Sequence, residues 1–167
     1  MIGVLGLDLS VTASGVALPN GRLKTVKPYF GPEHPGRRWD ELDGHFEQIV
    51  RYLHPRIAVV EGIGLHGYPL SLVAMGGIHA IVLRRLFRAS VEVFVAAPTQ
   101  LKQWATGKGT ATKEEMVAAA VAAGADPEDD NQADAFFLRQ MGLAAVERGV
   151  LADHQAAVLD RLDWRLG

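Results

Sequence analysis

A chain of 167 residues, 49% hydrophobic and 22% charged, has the composition of one globular domain, long enough to bury a continuous core without staples. It has no cysteine, which excludes disulfide frameworks and thiolate zinc sites, so any metal must be held by oxygen or imidazole. The formal net charge of −2 gives no general attraction to polyanions. No apolar run approaches the roughly 20 residues that cross a bilayer, and no basic segment precedes a small-residue cleavage site, so a leaderless cytoplasmic protein is expected.

The first stretch, IGVLGLDLSVTASGV, sets the problem that the rest of the chain must solve. Val4, Leu5, Leu7 and Leu9 describe a buried strand, yet Asp8 lies inside it, and a buried carboxylate needs a cation or hydrogen bonds to offset its desolvation. Ser10, Thr12, Ser14 and Gly15 supply a tight turn, which Asp8 could also simply cap, and Gly15 to Leu18 returns as a second strand. Pro19-Asn20-Gly21 turns the chain again into a third strand, Arg22 to Lys27, completing an antiparallel meander. A proline-rich loop from Pro28 to Arg38 follows. Trp39, Leu42, Phe46, Ile49, Val50 and Leu53 then mark a first helix that stops at His54-Pro55.

Ile57 to Val60 is too short for a helix and reads as a buried central strand, with Glu61 at its exit as a second misplaced acid. Beyond an irregular stretch, a helix is expected from Leu70 to Phe87. Its Gly76-Gly77 pair either admits another helix, conceivably from a second subunit, or breaks it. Val91 to Val95 is a fifth strand. Pro98 to Gly109 starts as a short helix and becomes a basic loop. Thr112 and Glu115 have capping-box spacing for a helix that ends at Gly124. Another helix runs from about Asp129 to Arg148, with Asp130 and Asp134 one turn apart. In the tail, Val158, Leu159, Leu162 and Leu166 keep a helical period, so residues 1–150 are expected to form the domain and 151–167 a helical tail packed on it or on a partner.

Charge is unevenly distributed. From Arg84 to Lys113, six cations (Arg84, Arg85, Arg88, Lys102, Lys108 and Lys113) stand against Glu92, a balance of +5, whereas from Asp126 to Asp153 seven acids stand against Arg139 and Arg148, a balance of −5. Each run alone is also what a solvated face looks like. Together they suit a polyanion held beside metal-binding carboxylates. If the first and fourth strands are neighbours, Asp8 and Glu61 lie side by side, and the late helix adds Asp130 and Asp134. Oxygen-only ligation favours magnesium or manganese.

Four stretches in this order, GLDLSVTASGVA, VVEG, PTQLKQWATGKGTATKEEM and DDNQADAFFL, resemble the RuvC-type Holliday junction resolvases of the ribonuclease H-like superfamily, particularly their diverged bacteriophage members. The resemblance covers about Gly3 to Leu143. It implies an α/β, ribonuclease H-like fold, with a five-stranded mixed sheet flanked by helices, and a homodimer that nicks four-way DNA junctions symmetrically with Mg2+ (Mn2+ substituting), leaving 5′-phosphates. Asp8, Glu61 and Asp134 match the family's metal acids, and Lys102 and Lys113 match lysines near the DNA and the scissile phosphate. Lys108, Arg84 and Arg85 are added here as DNA contacts. The family's fourth ligand, three residues before the last aspartate, is Asn131 in this chain; Asp130, on the same helix face, is the alternative ligand. In the loop after Glu61, Leu65 or Tyr68 stands where the cellular enzymes carry a junction-opening aromatic, against the alternative of plain loop packing, and His66 is a proton shuttle, a metal neighbour or simply a surface histidine.

Three other readings compete. An actin-like ATPase or sugar-kinase half shares the aspartate-bearing first hairpin, but needs two lobes. A non-catalytic junction-binding module would fit the substitution by Asn131. A broader flap, fork or RNA–DNA hybrid nuclease would use the same acids, because substrate preference lies in loops rather than in the sheet.

Overall fold

The structure is a computed structural model and describes residues 3–64, 69–147 and 150–162. Strands β1 (Val4–Asp8), β2 (Ser14–Ala17) and β3 (Leu23–Val26) form the antiparallel meander, and β4 (Ile57–Glu61) and β5 (Glu92–Ala96) continue it in parallel. The resulting order is β3-β2-β1-β4-β5, a five-stranded mixed sheet of the kind the resemblance implies. Leu65, His66 and Tyr68 lie outside the described residues, as does Leu166.

Alternation along the strands sorts the two faces. Leu5, Leu7, Val16, Ala58 and Val60 point to one side, where helices α1 (Pro35–Leu53) and α2 (Pro69–Arg88) bury Leu42, Phe46, Ile78, Val82 and Leu86 against them. Val4, Ile57 and Val59 point to the other. There they meet α3 (Pro98–Thr106), α4 (Lys113–Ala122), α5 (Asp130–Glu147) and α6 (Asp153–Leu159), through Leu101, Trp104, Met116, Leu138, Met141 and Val158. The same alternation puts Gly6 and Asp8 on the α5 side, in step with Val4.

Glycine makes that side accessible. A β-carbon on Gly6 would lie 2.1 Å from the carbonyl oxygen of Ala135, and one on Gly15 would lie 1.9 Å from that of Asn131. Both obstacles are backbone of α5. The helix therefore rests directly on β1 and β2, and its first turns are brought to the end of the sheet where β1 and β4 finish.

Some elements differ in extent from the sequence expectation. Helix α1 begins at Pro35 rather than Trp39, because proline suits the first helical position, and the preceding loop is correspondingly shorter. Helix α2 runs unbroken through its glycine pair. Gly77 admits the Trp39 ring of α1 in the same chain, 3.1 Å from where a β-carbon would be, whereas Gly76 faces open space. By length and composition alone α2 could cross a membrane, with a mean hydropathy of 1.5 over 18 residues, contrary to the expectation that no run comes close. Its packed face, Ile78, Val82 and Leu86, belongs to the core against the sheet.

The capping box of α4 forms as its spacing predicts: Glu115 N donates to Thr112 Oγ1 at 3.3 Å, and Thr112 N donates to Glu115 Oε2 at 2.8 Å. The described part of the tail packs on α3. Val158 and Leu162 are buried, Gln100 Nε2 donates to the Arg161 carbonyl at 2.9 Å, and Arg161 Nη2 donates to Gln103 Oε1 at 3.0 Å.

Candidate active site

Parallel pairing of β1 with β4 runs through Leu7↔Val60, which places Asp8 and Glu61 one step further on, side by side at the strand ends. Across the α5 face, Asp134 completes the group. The three carboxylates each offer an oxygen within 4.8 Å of the others. Asp8 is 8% exposed, and the other two are half-buried.

Such crowding is costly for three negative charges. Burial, followed by the Glu61 charge and a hydrogen bond with Glu61, raises the Asp8 carboxyl well above its ordinary range. Glu61 is raised too, chiefly by burial, with the Asp134 charge adding to it. Asp134 is pushed up to about 7, by burial and then by Asp8 and Asp130. Its Oδ1 is buried with no hydrogen-bond partner among the described residues. A buried carboxylate oxygen without a partner, on one of three clustered acids, is what a divalent cation with oxygen ligands would satisfy.

This arrangement has a measurable consequence for the metal-free protein. Asp134 binds its proton more tightly when folded than at the ordinary value of 3.8, so its contribution to stability falls as pH rises from about 4 to about 7 and stays low above that. Asp134→Asn cannot ionise. It is expected to raise stability by about 2–4 kcal/mol near pH 8 and to change it little near pH 4. Urea unfolding at the two pH values checks this. Equal gains at both would mean that Asp134 carries no burial penalty.

Around the three acids the other predicted residues fall into distinct places. Asp130 begins α5 and is ion-paired with Lys113, outside the group of three. That pairing, through hydrogen bond and charge, holds the Lys113 ammonium above its ordinary pKa, with Asp134 and Asp8 adding to it. Lys102 acts electrostatically on Glu61 and Asp134. Lys108 is exposed and lies 3.9 Å from Glu115. Asn131 contributes the main-chain carbonyl against which Gly15 packs.

The cations that the sequence grouped together are divided by the fold. Arg84, Arg85 and Arg88 close α2 just before β5 begins, at the sheet end opposite to Glu61. Arg85 is moreover engaged by α1, paired with Asp43 and, at 3.3 Å, with Glu47. Lys102, Lys108 and Lys113 belong to the segment that leaves the other end of β5, on the side of the acids.

No protein-family model matches the chain. Over 140 residues, however, it is 31% identical to the crossover junction endodeoxyribonuclease RuvC of Anaeromyxobacter dehalogenans strain 2CP-C, covering 83% of this chain and 70% of that protein. The chain belongs to the RuvC family. The RuvC of Rubrobacter xylanophilus is 32% identical over 101 residues, covering 59% of this chain and 56% of that one. Among solved structures, Thermus thermophilus RuvC in complex with a Holliday junction substrate superimposes with a TM-score of 0.72 at 23% identity, covering 83% of this chain and 91% of that one. The yeast mitochondrial Holliday junction resolvase Ydc2 gives 0.56 at 12% identity, covering 94% and 80%. Both structural likenesses concern the fold.

In this member of the RuvC family, a polar clamp that the sequence reading did not single out fixes the start of α5. Asp129 Oδ1 accepts from Gln132 N at 2.8 Å, Thr25 Oγ1 donates to Asp129 Oδ2 at 2.9 Å, and Gln132 Nε2 donates to Thr25 Oγ1 at 2.9 Å. Gln132 is 2% exposed, so these bonds tie β3 to the helix inside the protein. The signal was present as Asp129 three residues before Gln132, the same capping spacing that located α4.

Proposed function

We propose that the chain is a Holliday junction resolvase, a metal-dependent endonuclease that nicks four-way DNA junctions in the cytoplasm of a bacterial cell or a phage-infected host. The observation that carries this reading is the convergence of Asp8, Glu61 and Asp134 at one end of the sheet of a RuvC-family chain, with Lys102 and Lys113 beside them. Three carboxylate oxygens, the ligand set found among the described residues, suit Mg2+, with Mn2+ able to replace it. When bound, such ions stabilise the attacking and leaving oxygens of an in-line phosphoryl displacement. Asp8, Glu61 and Asp134 would hold the ions; Asn131 or Asp130 would supply a further ligand, Asp130 only by giving up its pairing with Lys113.

The residues of the chain do the rest. Lys113, and Lys102 from α3, neutralise the phosphate so that it can approach the acids. Water adds to phosphorus as the bond to the 3′-oxygen breaks; the 3′-oxygen gains a proton and the phosphate remains on the 5′ side. Lys108 extends the DNA contact along the loop. Arg84, exposed at the far end of α2, would touch a distant arm only, and Arg85 serves the joint between α1 and α2. Leu70 and Val73, 84% and 73% exposed, present an apolar face of α2 that we assign to a homodimer, which would supply two sites for paired cuts.

Cleavage of an end-labelled four-way junction beside matched flap, fork, duplex and RNA–DNA hybrid substrates tests the reading. Paired symmetric nicks confined to the junction are expected; equal cutting of flaps or hybrids would overturn junction selectivity. Lys102→Ala and Lys113→Ala are each expected to weaken junction binding and to lower the slope of log affinity against log salt by about one. An unchanged slope in both variants would remove the lysines from the DNA interface.

A further inference from the structure

His79 is buried on the sheet side of α2, 8% exposed, next to Ile78 in the core. Its Nδ1 lies 2.9 Å from the Met75 carbonyl oxygen and its Nε2 lies 2.9 Å from that of Glu61. Carbonyl oxygens only accept, so the nitrogen facing Glu61 holds it through a proton. The two partners differ in their need. Met75 is four residues earlier in the same helix, where the helical ladder itself provides a donor.

The Glu61 carbonyl has no such provision. Ladder pairing between β4 and β5 closes at Glu61↔Ala96, and Gly62 N donates to Ala96 O at 2.8 Å. In a trans peptide the preceding carbonyl points the opposite way, so the Glu61 oxygen is turned from β5 toward the side where β1 has already ended at Asp8. Among the described residues the imidazole is the partner this part-buried carbonyl has. The backbone of one of the three acids is thus held by a side chain from the opposite face of the sheet.

We propose that His79 is a positioning residue for Glu61, which anchors the exit of β4 so that the carboxylate meets Asp8 and Asp134 at ligand distance. The inference rests on the metal-site reading of those three acids. His79 touches no ligand oxygen. It acts through the Glu61 main chain, against the repulsion that would otherwise spread three crowded acids before an ion arrives.

The test uses two amides that each reproduce one half of the ring. In His79→Gln the amide nitrogen falls near the Nε2 position and reaches Glu61; in His79→Asn it falls near Nδ1 and reaches Met75 only. Binding of Mn2+ alone to the full chain is measured by calorimetry, with Tm recorded for each variant. Mn2+ affinity is expected to stay within about threefold for His79→Gln and to fall about tenfold or more for His79→Asn, the range of other outer partners of metal ligands. Saturating Mn2+ should then restore cleavage by His79→Asn. Equal Mn2+ affinities in the Asn and Gln variants would overturn the proposal, including the case in which both lose Tm together. Failure of the unaltered chain to bind Mn2+ would overturn the metal site itself and is read from the same experiment.

Discussion

Asp8→Asn is expected to lower junction cleavage by roughly 10³-fold or more while junction binding is kept or tightened. The residue sits where β1 ends, most deeply buried of the three acids, hydrogen-bonded with Glu61 and acting by its charge on Asp134. An amide keeps the shape but removes the charge that would hold a divalent ion, and the lost transition-state stabilisation of several kcal/mol corresponds to that factor. Binding responds in the opposite sense, because DNA phosphates approach a less negative site. Single-turnover cleavage and a gel-shift titration in Ca2+ separate the two effects. Turnover within tenfold of the unaltered chain would contradict the role given to Asp8.

Gly15→Ala is the second large expectation, a loss of about 3 kcal/mol of stability together with most of the cleavage activity. One methyl group there would overlap the main chain at Asn131, 1.9 Å from its oxygen and 2.3 Å from its carbonyl carbon, and backbone cannot swing aside as a long side chain does. The helix must lift from β2, and Asp134, one turn further along α5, moves with it. Gly6→Ala meets the Ala135 oxygen at 2.1 Å and should behave alike. Gly44→Ala is the matched control. Nothing stands within 4 Å of a β-carbon there, and the exchange in the interior of α1 should be neutral or stabilising by about 0.5–1 kcal/mol. Denaturant unfolding of the three variants checks the pattern, and similar stabilities would mean that α5 does not rest directly on the sheet.

Local chemistry made the fold legible. The order of strands and helices followed from turn residues, apolar periods and the Thr112–Glu115 capping box, each a short-range signal. Asp8 and Glu61 were legible for the same reason, since each interrupts an otherwise apolar strand. What sequence did not reveal were relations across space. The run of cations from Arg84 to Lys113 summed to a single patch on paper, yet β5 carries the chain from one end of the sheet to the other between Arg88 and Lys102, so the patch divides. Asp130 shares a helix face with Asp134, but whether it meets the acids or Lys113 depends on where α4 lies, and the fold pairs it with Lys113. His79 looks like one more residue of an apolar helix until the end of β4 is seen to lack a partner. Gly15 was legible only as a turn residue at the start of a strand, and Gly6 not at all; the close approach of the α5 backbone that requires them is seen only in the fold.

The most direct test of the account is a crystal of the chain soaked in Mn2+ and measured at an anomalous wavelength. Anomalous density bounded by carboxylate oxygens of Asp8, Glu61 and Asp134, with Lys113 beside it, is the predicted result. Density elsewhere, or none at those three acids under conditions that support cleavage, would contradict the claim that they form the metal site.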